Sequence, residues 1–165
     1  MTAIRNIHTS IDVPADVKTV WAAWTTNDGA RSFFAPDSNI DARVDGAYEI
    51  FFNPAGEPGM RGGDDMRILT YQPHHMLSFT WNAPPSIPEI RKQRTLVVLT
   101  FDQISESETR VTLDHMGWGT GKAWDEAFEY FVAAWNDQVL PCLKYRFEVG
   151  AIDWDNRPLV ESLRR

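Results

Sequence analysis

Residues 4–13 alternate between apolar and polar side chains. Ile7, Ile11 and Val13 share one parity, and a period of two is typical of a half-buried β-strand. Pro14 follows directly, where the fixed φ of proline suits the first turn of a helix. This segment therefore predicts a strand that leads into a helix.

The residues after Pro14 change to a helical period. Four apolar residues recur at the spacing of one helix face: Val17, Val20, Trp21 and Trp24. The Asn-Asp-Gly sequence at 27–29 ends this helix. A short second helix is predicted at 30–34, before Pro36.

Residues 40–116 return to a period of two, which predicts a run of β-strands. The predicted strands cover residues 40–44, 47–53, 64–72, 76–82, 95–104 and 109–116. Short polar links such as 105–108 indicate antiparallel pairs, because a parallel crossover needs about a dozen residues or more. Two longer loops rich in Gly and Pro lie at 54–63 and 83–94. We expect loop 83–94 to border a cavity mouth as a partial lid.

A long final helix is predicted over residues 122–149. Its apolar side chains recur at steps of three and four residues: Trp124, Phe128, Phe131, Trp135, Val139 and Cys142. Pro141 lies inside this helix and is expected to bend it. The C-terminal tail, residues 151–165, has too few apolar residues to form a domain.

The order of these elements predicts an α+β domain in which the final helix covers the apolar face of an antiparallel sheet. We expect one domain over residues 1–165, with its core at about 4–150. A twisted sheet curved around a helix leaves space between them near one end. Small-molecule sites form in such gaps.

The charge of the chain narrows the classes of function. Sixteen Lys and Arg against 23 Asp and Glu give a net charge of −7, which argues against a general nucleic-acid binder. Residues 1–11 lack the apolar run of a signal peptide, and no apolar stretch approaches the ~20 residues that span a bilayer. These features favour a cytoplasmic protein without a membrane partner.

Neither a metal site nor a reactive cysteine is indicated. The adjacent pairs His74-His75 and Asp64-Asp65 cannot chelate one ion well, because neighbouring residues on a strand point to opposite faces. Cys142 is the sole cysteine, so an internal disulfide is excluded. Its place on the apolar face of the final helix favours a small buried side chain over a nucleophile. We expect no metal and no cofactor.

His115 is the polar residue best suited to a cavity. Val111 and Leu113 share its parity and should face the core, so His115 should point the same way. A neutral imidazole can both donate and accept a hydrogen bond. We expect His115 to contact a ligand, and the alternative is a core histidine bonded to a neighbouring side chain.

Aromatic residues, 12% of the chain, supply the other candidates, because such rings fill a core or line an apolar cavity. Tyr48 and Trp81 could add polar groups beside His115. The expected apolar walls are Phe79, Phe128, Phe131 and Trp135. Plain core packing is the alternative for each of these residues.

Four segments together resemble a known family. They are Val-Trp-Ala-Ala-Trp-Thr at 20–25, Asp-Ala-Arg-Val-Asp-Gly at 41–46, Leu-Ser-Phe-Thr-Trp at 77–81 and Thr-Arg-Val-Thr-Leu-Asp-His-Met-Gly-Trp at 109–118. Their order and spacing resemble the activator-of-Hsp90-ATPase-like branch of the START/Bet v 1 superfamily, over roughly residues 4–150. The resemblance implies a helix-grip fold, a curved antiparallel sheet that grips a long C-terminal helix around a cavity.

Three hypotheses for function remain open. The first is a binding protein that holds a modest apolar or aromatic small molecule in the cavity. The second is a cyclase or dehydratase that uses the same cavity, with His115 as general acid or base. The third, implied by the resemblance, is a module that acts on a chaperone. A homodimer is compatible with each of them.

Overall fold

The computed structural model describes residues 4–158 as seven strands and a set of helical segments. The strands are β1 Ile7–Val13, β2 Asp37–Ile40, β3 Tyr48–Phe51, β4 Ile68–Gln72, β5 Met76–Trp81, β6 Thr95–Ser105 and β7 Glu108–Met116. The helices are α1 Val17–Thr25, α2 Asn27–Arg31, α3 Lys122–Ala133 and α4 Leu140–Glu148, and a π-helical segment, Ala134–Val139, joins α3 to α4.

The strands form an antiparallel sheet in the order β1-β7-β6-β5-β4, and β2 and β3 form a separate pair. Backbone hydrogen bonds connect this pair to the residues before β4. The amide of Tyr48 donates to the carbonyl of Met66, and that of Gly63 to the carbonyl of Ile50, both at 2.8 Å. The pair therefore continues the curve of the larger sheet, and the predicted α+β class is confirmed.

The strand predicted at 40–44 is wrong, because β2 is Asp37–Ile40 and residues 41–46 form a turn. The amide of Arg43 donates to the carbonyl of Asp41 at 2.8 Å. Asp45 has a φ of 63°, in the left-handed region that Asp tolerates better than most residues. A local turn thus overrides the alternating pattern of this segment.

The second helix also begins earlier than predicted, at Asn27 instead of residue 30. Thr26 supplies the reason, because its hydroxyl accepts a hydrogen bond from the amide of Gly29 at 3.0 Å. This is the N-cap contact that starts a helix. The Asn-Asp-Gly sequence therefore lies inside the first turn of α2, and the break between α1 and α2 is at Thr26, whose backbone is extended.

The predicted final helix runs through α3, the π-helical segment and α4, residues 122–148. Pro141 has no amide hydrogen, so a regular α-helix would lose one backbone bond there. The structure places a π-helical turn just before it, in which the amide of Leu140 donates to the carbonyl of Trp135, five residues earlier. The proline thus coincides with a local widening of the helix.

The core lies between the sheet, the final helix and α1. The Trp24 ring packs edge-on against Phe33 and Phe34, with ring centres 4.8 and 5.3 Å apart. Tyr48 stacks on Phe79 at 4.2 Å, and its hydroxyl donates to the carbonyl of Trp24 at 2.8 Å. These contacts join α1 to the middle of the sheet.

Loops 54–63 and 83–94 are held together by Arg91. Only 7% of this residue is exposed. Its guanidinium donates to the carbonyls of Gly59 and Gly62, at 2.7 and 2.9 Å. One nitrogen also lies 3.3 Å from a carboxylate oxygen of Asp64.

Asp64, directly after loop 54–63, is the matching acceptor. Its carboxylate accepts hydrogen bonds from the backbone amides of Gly59, Arg61 and Gly62 at 2.8–2.9 Å. Burial by itself would raise the pKa of Asp64, but these bonds and the one from the Arg61 side chain outweigh it and hold the pKa below its ordinary value. The carboxylate stays charged at neutral pH and fixes both loops to each other.

We expect Asp64→Asn to lower the free energy of unfolding by about 1–3 kcal/mol at pH 7, because buried donors, including the Arg91 guanidinium, lose a charged acceptor. The contribution of Asp64 is present above the ordinary carboxyl pKa and is lost as the pH falls through its lowered pKa. The difference between variant and wild type should therefore shrink in acid. Urea titration at several pH values measures it.

The matched control is Asp65→Asn at the neighbouring exposed position. Asp65 has a φ of 64°, a conformation that Asn also adopts readily. Its stability should stay within about 0.5 kcal/mol of wild type. Equal losses in the two variants would contradict the special role of Asp64.

Candidate functional site

A cavity of about 600 Å³ opens between the final helix, the end of the sheet and the C-terminal tail. Within residues 4–158, its walls come from five separate parts of the chain. The lining residues are Phe33, Phe34, Pro36, Phe52, Trp81, Tyr130, Phe131, Ala134, Trp135, Gln138, Val139, Cys142, Trp154, Asp155 and Arg157.

Phe34 lies at the centre of the aromatic wall. Its ring stacks on Trp81 at 6.0 Å and meets Trp135 edge-on, also at 6.0 Å. Phe52 lies 5.9 Å from the same ring, and Trp81 and Trp135 are themselves 5.9 Å apart. The four side chains form one continuous apolar surface, of the kind that binds flat apolar molecules.

A smaller cavity of about 230 Å³ adjoins the main one. The two share Phe52, Trp81, Tyr130 and Phe131. Met60 and Arg61 border it from loop 54–63, and Pro84 and Pro85 border it from loop 83–94. Loop 83–94 is therefore located beside a cavity, as predicted, and its action as a lid remains a prediction.

The structure brings three of the seven predicted ligand contacts to the main cavity: Trp81, Phe131 and Trp135. Tyr48 and Phe79 are not among its lining residues. Both are fully buried and stack on each other inside the sheet. The hydroxyl of Tyr48 is already bonded to the carbonyl of Trp24, so its polar atom has a partner in the core.

Phe128 also lies outside the lining. It is half-buried, on the part of the final helix nearer to its start. The Trp118 ring meets it edge-on at 5.2 Å, and the guanidinium of Arg5 lies 5.3 Å from its ring centre. Phe128 thus packs against the segment between β7 and α3.

His115 is fully buried one layer behind the cavity wall. Trp135 donates its indole N–H to Nδ1 of His115 at 3.0 Å, so Nδ1 carries no proton. The ring proton is then on Nε2, which donates to the Thr95 hydroxyl at 2.7 Å. Phe131 packs edge-on against the imidazole at 5.0 Å and separates it from the cavity.

This geometry agrees with the alternative interpretation of His115, a core histidine bonded to neighbouring side chains, and its contact with a ligand stays a prediction. Both ring nitrogens are bonded to protein groups, and His115 does not line the cavity. Burial lowers the pKa of His115 to about 3, so the ring is neutral at physiological pH. A general acid or base must be able to reach the substrate's proton, and this arrangement does not support that role.

The C-terminal tail supplies a wall that sequence analysis missed. Ile152 is buried, and its amide donates to the carbonyl of Ser32 at 2.9 Å. Trp154 donates its indole N–H to the carbonyl of Arg31 at 2.6 Å. These two bonds hold the tail against the end of α2. The signal in the sequence was weak, since Ile152 and Trp154 are two apolar side chains in a polar segment.

The final helix adds Gln138, Val139 and Cys142 to the lining. Cys142 is buried, as predicted. Burial raises the pKa of its thiol, although the nearby Arg157 acts in the opposite direction. The thiol therefore stays protonated near neutral pH, which is unfavourable for a nucleophile.

Two further findings concern the part of the chain that the structure describes. Residues 4–158 contain no group of three or more His, Cys, Asp or Glu side chains placed to hold a metal ion. No helix in this range has both the length and the apolar character needed to cross a membrane.

Comparison with known proteins gives one match to a protein family. The sequence profile described as "Activator of Hsp90 ATPase homolog 1-like protein" matches residues 14–144. This range includes both helices after β1, all strands from β2 to β7 and most of the final helix. A search of curated proteins gives no significant match.

Solved structures with similar folds span nearly the same region. The Aha1 dimer from Colwellia psychrerythraea has a TM-score of 0.69 and 20% identity, and the match covers 89% of this chain and 98% of that one. Protein BH1534 from Bacillus halodurans has a TM-score of 0.68 and 20% identity, with 90% and 100% covered. PFC0360w, an HSP90 activator from Plasmodium falciparum, has a TM-score of 0.62 and 14% identity, with 84% and 91% covered. These likenesses establish the helix-grip fold.

The buried, neutral His115 has a measurable consequence for stability. Below pH 6.5 the unfolded chain binds a proton at this residue, whereas the folded chain does so only near pH 3. The stability that His115 contributes is therefore complete above pH 6.5 and decreases as the pH falls toward 3. At about 1.4 kcal/mol per pH unit, the loss between pH 6.5 and pH 5 is about 2 kcal/mol.

His115→Gln should remove this part of the pH dependence of the free energy of unfolding. His75→Gln, at an exposed position, is the matched control and should keep the wild-type slope. Denaturant titrations at pH 7.5, 6.5, 5.5 and 5.0 measure the slopes. A slope in His115→Gln that equals the wild-type slope would contradict the neutral buried imidazole.

Proposed function

We propose that this chain, which belongs to the Activator of Hsp90 ATPase homolog 1-like family, binds a small apolar or aromatic molecule between its sheet and its final helix. The observation that carries the proposal is the aromatic-lined cavity of about 600 Å³. Its volume falls within the range of roughly 300–1,000 Å³ in which proteins bind small molecules.

The exposure of the rim residues supports the same proposal. Phe52 and Tyr130 line the cavity and are 46% and 48% exposed. Apolar surface in contact with water is unfavourable, and a ligand that covers these rings would remove it from water. The buried rings of Trp81 and Trp135 would contact the opposite side of the ligand.

The polar groups of the lining are few, which suits orientation of a ligand better than catalysis. Among the described residues they are Tyr130, Gln138, Asp155 and Arg157, on the final helix and the C-terminal tail. The acid/base hypothesis depended on His115, which lies behind the wall with both nitrogens bonded. We therefore favour binding over a cyclase or dehydratase reaction.

A second candidate function is a module that acts on the chaperone Hsp90. The family match supports it, and one structure with a similar fold is an HSP90 activator. This candidate uses an outer surface and does not require an occupied cavity. The two candidates can therefore be separated by experiment.

The chaperone candidate predicts that the purified chain raises the ATPase rate of Hsp90. A rate measured with an Hsp90 from the same source, with and without an excess of the chain, tests it directly. An unchanged rate would contradict this candidate. Sedimentation analysis of the same sample would show whether the chain forms a dimer, as the similar Aha1 structure does.

The binding proposal predicts that filling the cavity abolishes ligand uptake. Ala134 lies in the π-helical segment and lines the cavity, so Ala134→Trp would occupy the space that a ligand needs. With 2-naphthamide as a neutral aromatic probe, we expect calorimetry to show binding to the wild type and at least a tenfold weaker affinity for Ala134→Trp.

Ala133→Trp is the matched control. Ala133 is the neighbouring residue, is exposed and lies outside the lining, so this variant should bind 2-naphthamide like the wild type. Native mass spectrometry of protein from its own source should also show a retained small molecule. A wild type that neither binds the probe nor retains a molecule would contradict the proposal.

A further inference from the structure

We infer that the cavity selects an aromatic carboxylate, whose anionic group pairs with Arg157 while its ring lies against the aromatic wall. This inference rests on the proposed function, because it names the class of molecule that the same cavity would take. Its evidence is the position, the bonding and the surroundings of one guanidinium in the C-terminal tail.

Arg157 is held at the edge of the cavity by the tail around it. Trp154 is bonded to the end of α2 through its indole N–H, and the Arg157 guanidinium lies 5.6 Å from the centre of the Trp154 ring. An arginine over a tryptophan face gains a cation–π contribution. The charged group is thus positioned by contacts that leave most of its hydrogen-bonding edge available.

The hydrogen bonds of Arg157 leave this edge largely unused. Nη2 donates to Oε1 of Gln138 at 2.6 Å and lies 3.9 Å from the sulfur of Cys142. Neither Nη1 nor Nε has a hydrogen-bond partner among residues 4–158. A guanidinium has five N–H donors in a planar fork that matches the two oxygens of a carboxylate. Three of those donors remain for a ligand.

Arg157 forms no ion pair within residues 4–158 and bonds to a neutral amide instead. Six of the ten arginines in this range pair with an aspartate: Arg5, Arg31, Arg43, Arg61, Arg91 and Arg110. Of the four that do not, Arg157 is the one that lines the described cavity. A cation without a paired carboxylate in this range, beside an apolar cavity, favours a ligand that brings its own negative charge.

Among residues 4–158, Asp155 is the one carboxylate that lines the cavity. It forms no ion pair with Arg157, and both residues are exposed, so solvent screens both charges. Its repulsion should weaken anion binding without preventing it. Removal of this charge should therefore strengthen the binding of an anionic ligand. This gives a second test, in which the expected change in affinity is opposite in sign to that of Arg157→Gln.

The apolar part of the ligand is defined by the aromatic wall of the cavity that Arg157 also lines. Phe34, Trp81 and Trp135 present rings within about 6 Å of one another. A flat aromatic group would contact these rings, while a carboxylate on its edge reaches the tail. The combination distinguishes an aromatic carboxylate from an uncharged apolar molecule of the same size.

The experiment compares 2-naphthoate with 2-naphthamide by calorimetry at pH 7, because the two probes share a ring system and differ in charge. Wild type should bind 2-naphthoate about tenfold more tightly. Arg157→Gln should remove this preference, with a loss of 2-naphthoate affinity about tenfold greater than any loss of 2-naphthamide affinity, whereas Arg157→Lys should keep part of it. Asp155→Asn should increase the affinity for 2-naphthoate only.

Arg43→Gln is the control for a general change in charge. Arg43 is exposed, pairs with Asp41 and lies outside the cavity, so both affinities should match the wild type. Equal binding of both probes to wild type, or an equal loss of both in Arg157→Gln, would overturn the inference and leave the proposed function standing. If neither probe bound to the wild type, the proposed function itself would be contradicted.

Discussion

The hydrogen bond from the Trp135 indole to His115 is the contact on which both core and cavity depend. It joins the π-helical segment of the final helix to β7, and the Thr95 hydroxyl extends it to β6. Trp135 is 1% exposed, and its ring forms part of the cavity wall. His115 lies on β7, which supplies none of the described lining residues. The bond therefore fixes the orientation of the Trp135 ring from behind the cavity wall. A neutral imidazole is required, because Nδ1 must accept the indole proton.

The cavity exists because the sheet and the final helix do not close on each other near Phe34. β2 and β3 are short, and Arg91 and Asp64 fix the loops beside β3 and β5 to each other. Ile87 and Ile90 of loop 83–94 pack against Trp124 and Ala127 near the start of the final helix, away from Phe34. Aromatic rings fill only part of the remaining space. The C-terminal tail then closes one side of it, with two backbone carbonyls of the α2 region as anchor points.

Much of the fold could be predicted from the sequence, because regular elements of this length bury one face and so carry a clear period. The final helix and strands β5 to β7 follow this rule. The strand predicted at 40–44 failed where a local turn at Asp45 competes with alternation. The sequence predicts a bend at Pro141 but carries no signal for the π-helical turn that comes before it.

The site was less predictable than the fold. Parity correctly indicates that Tyr48, Phe79 and His115 face inward, but it does not give the depth at which a side chain lies. All three are buried behind the wall, while Trp81 reaches it from the end of β5. The contribution of Arg157 had no periodic signal, because the tail is held by individual bonds and not by a regular element.

The position of the tail in the sequence has a consequence for synthesis of the protein. Residues 152–157 are synthesised after every strand and helix described here, and domains generally fold as units. The sheet also remains incomplete until β7 can pair with β1. The wall supplied by the tail is therefore the last part of the described cavity to be made. A chain that stopped before residue 152 would lack the side of the cavity that Trp154 and Arg157 supply.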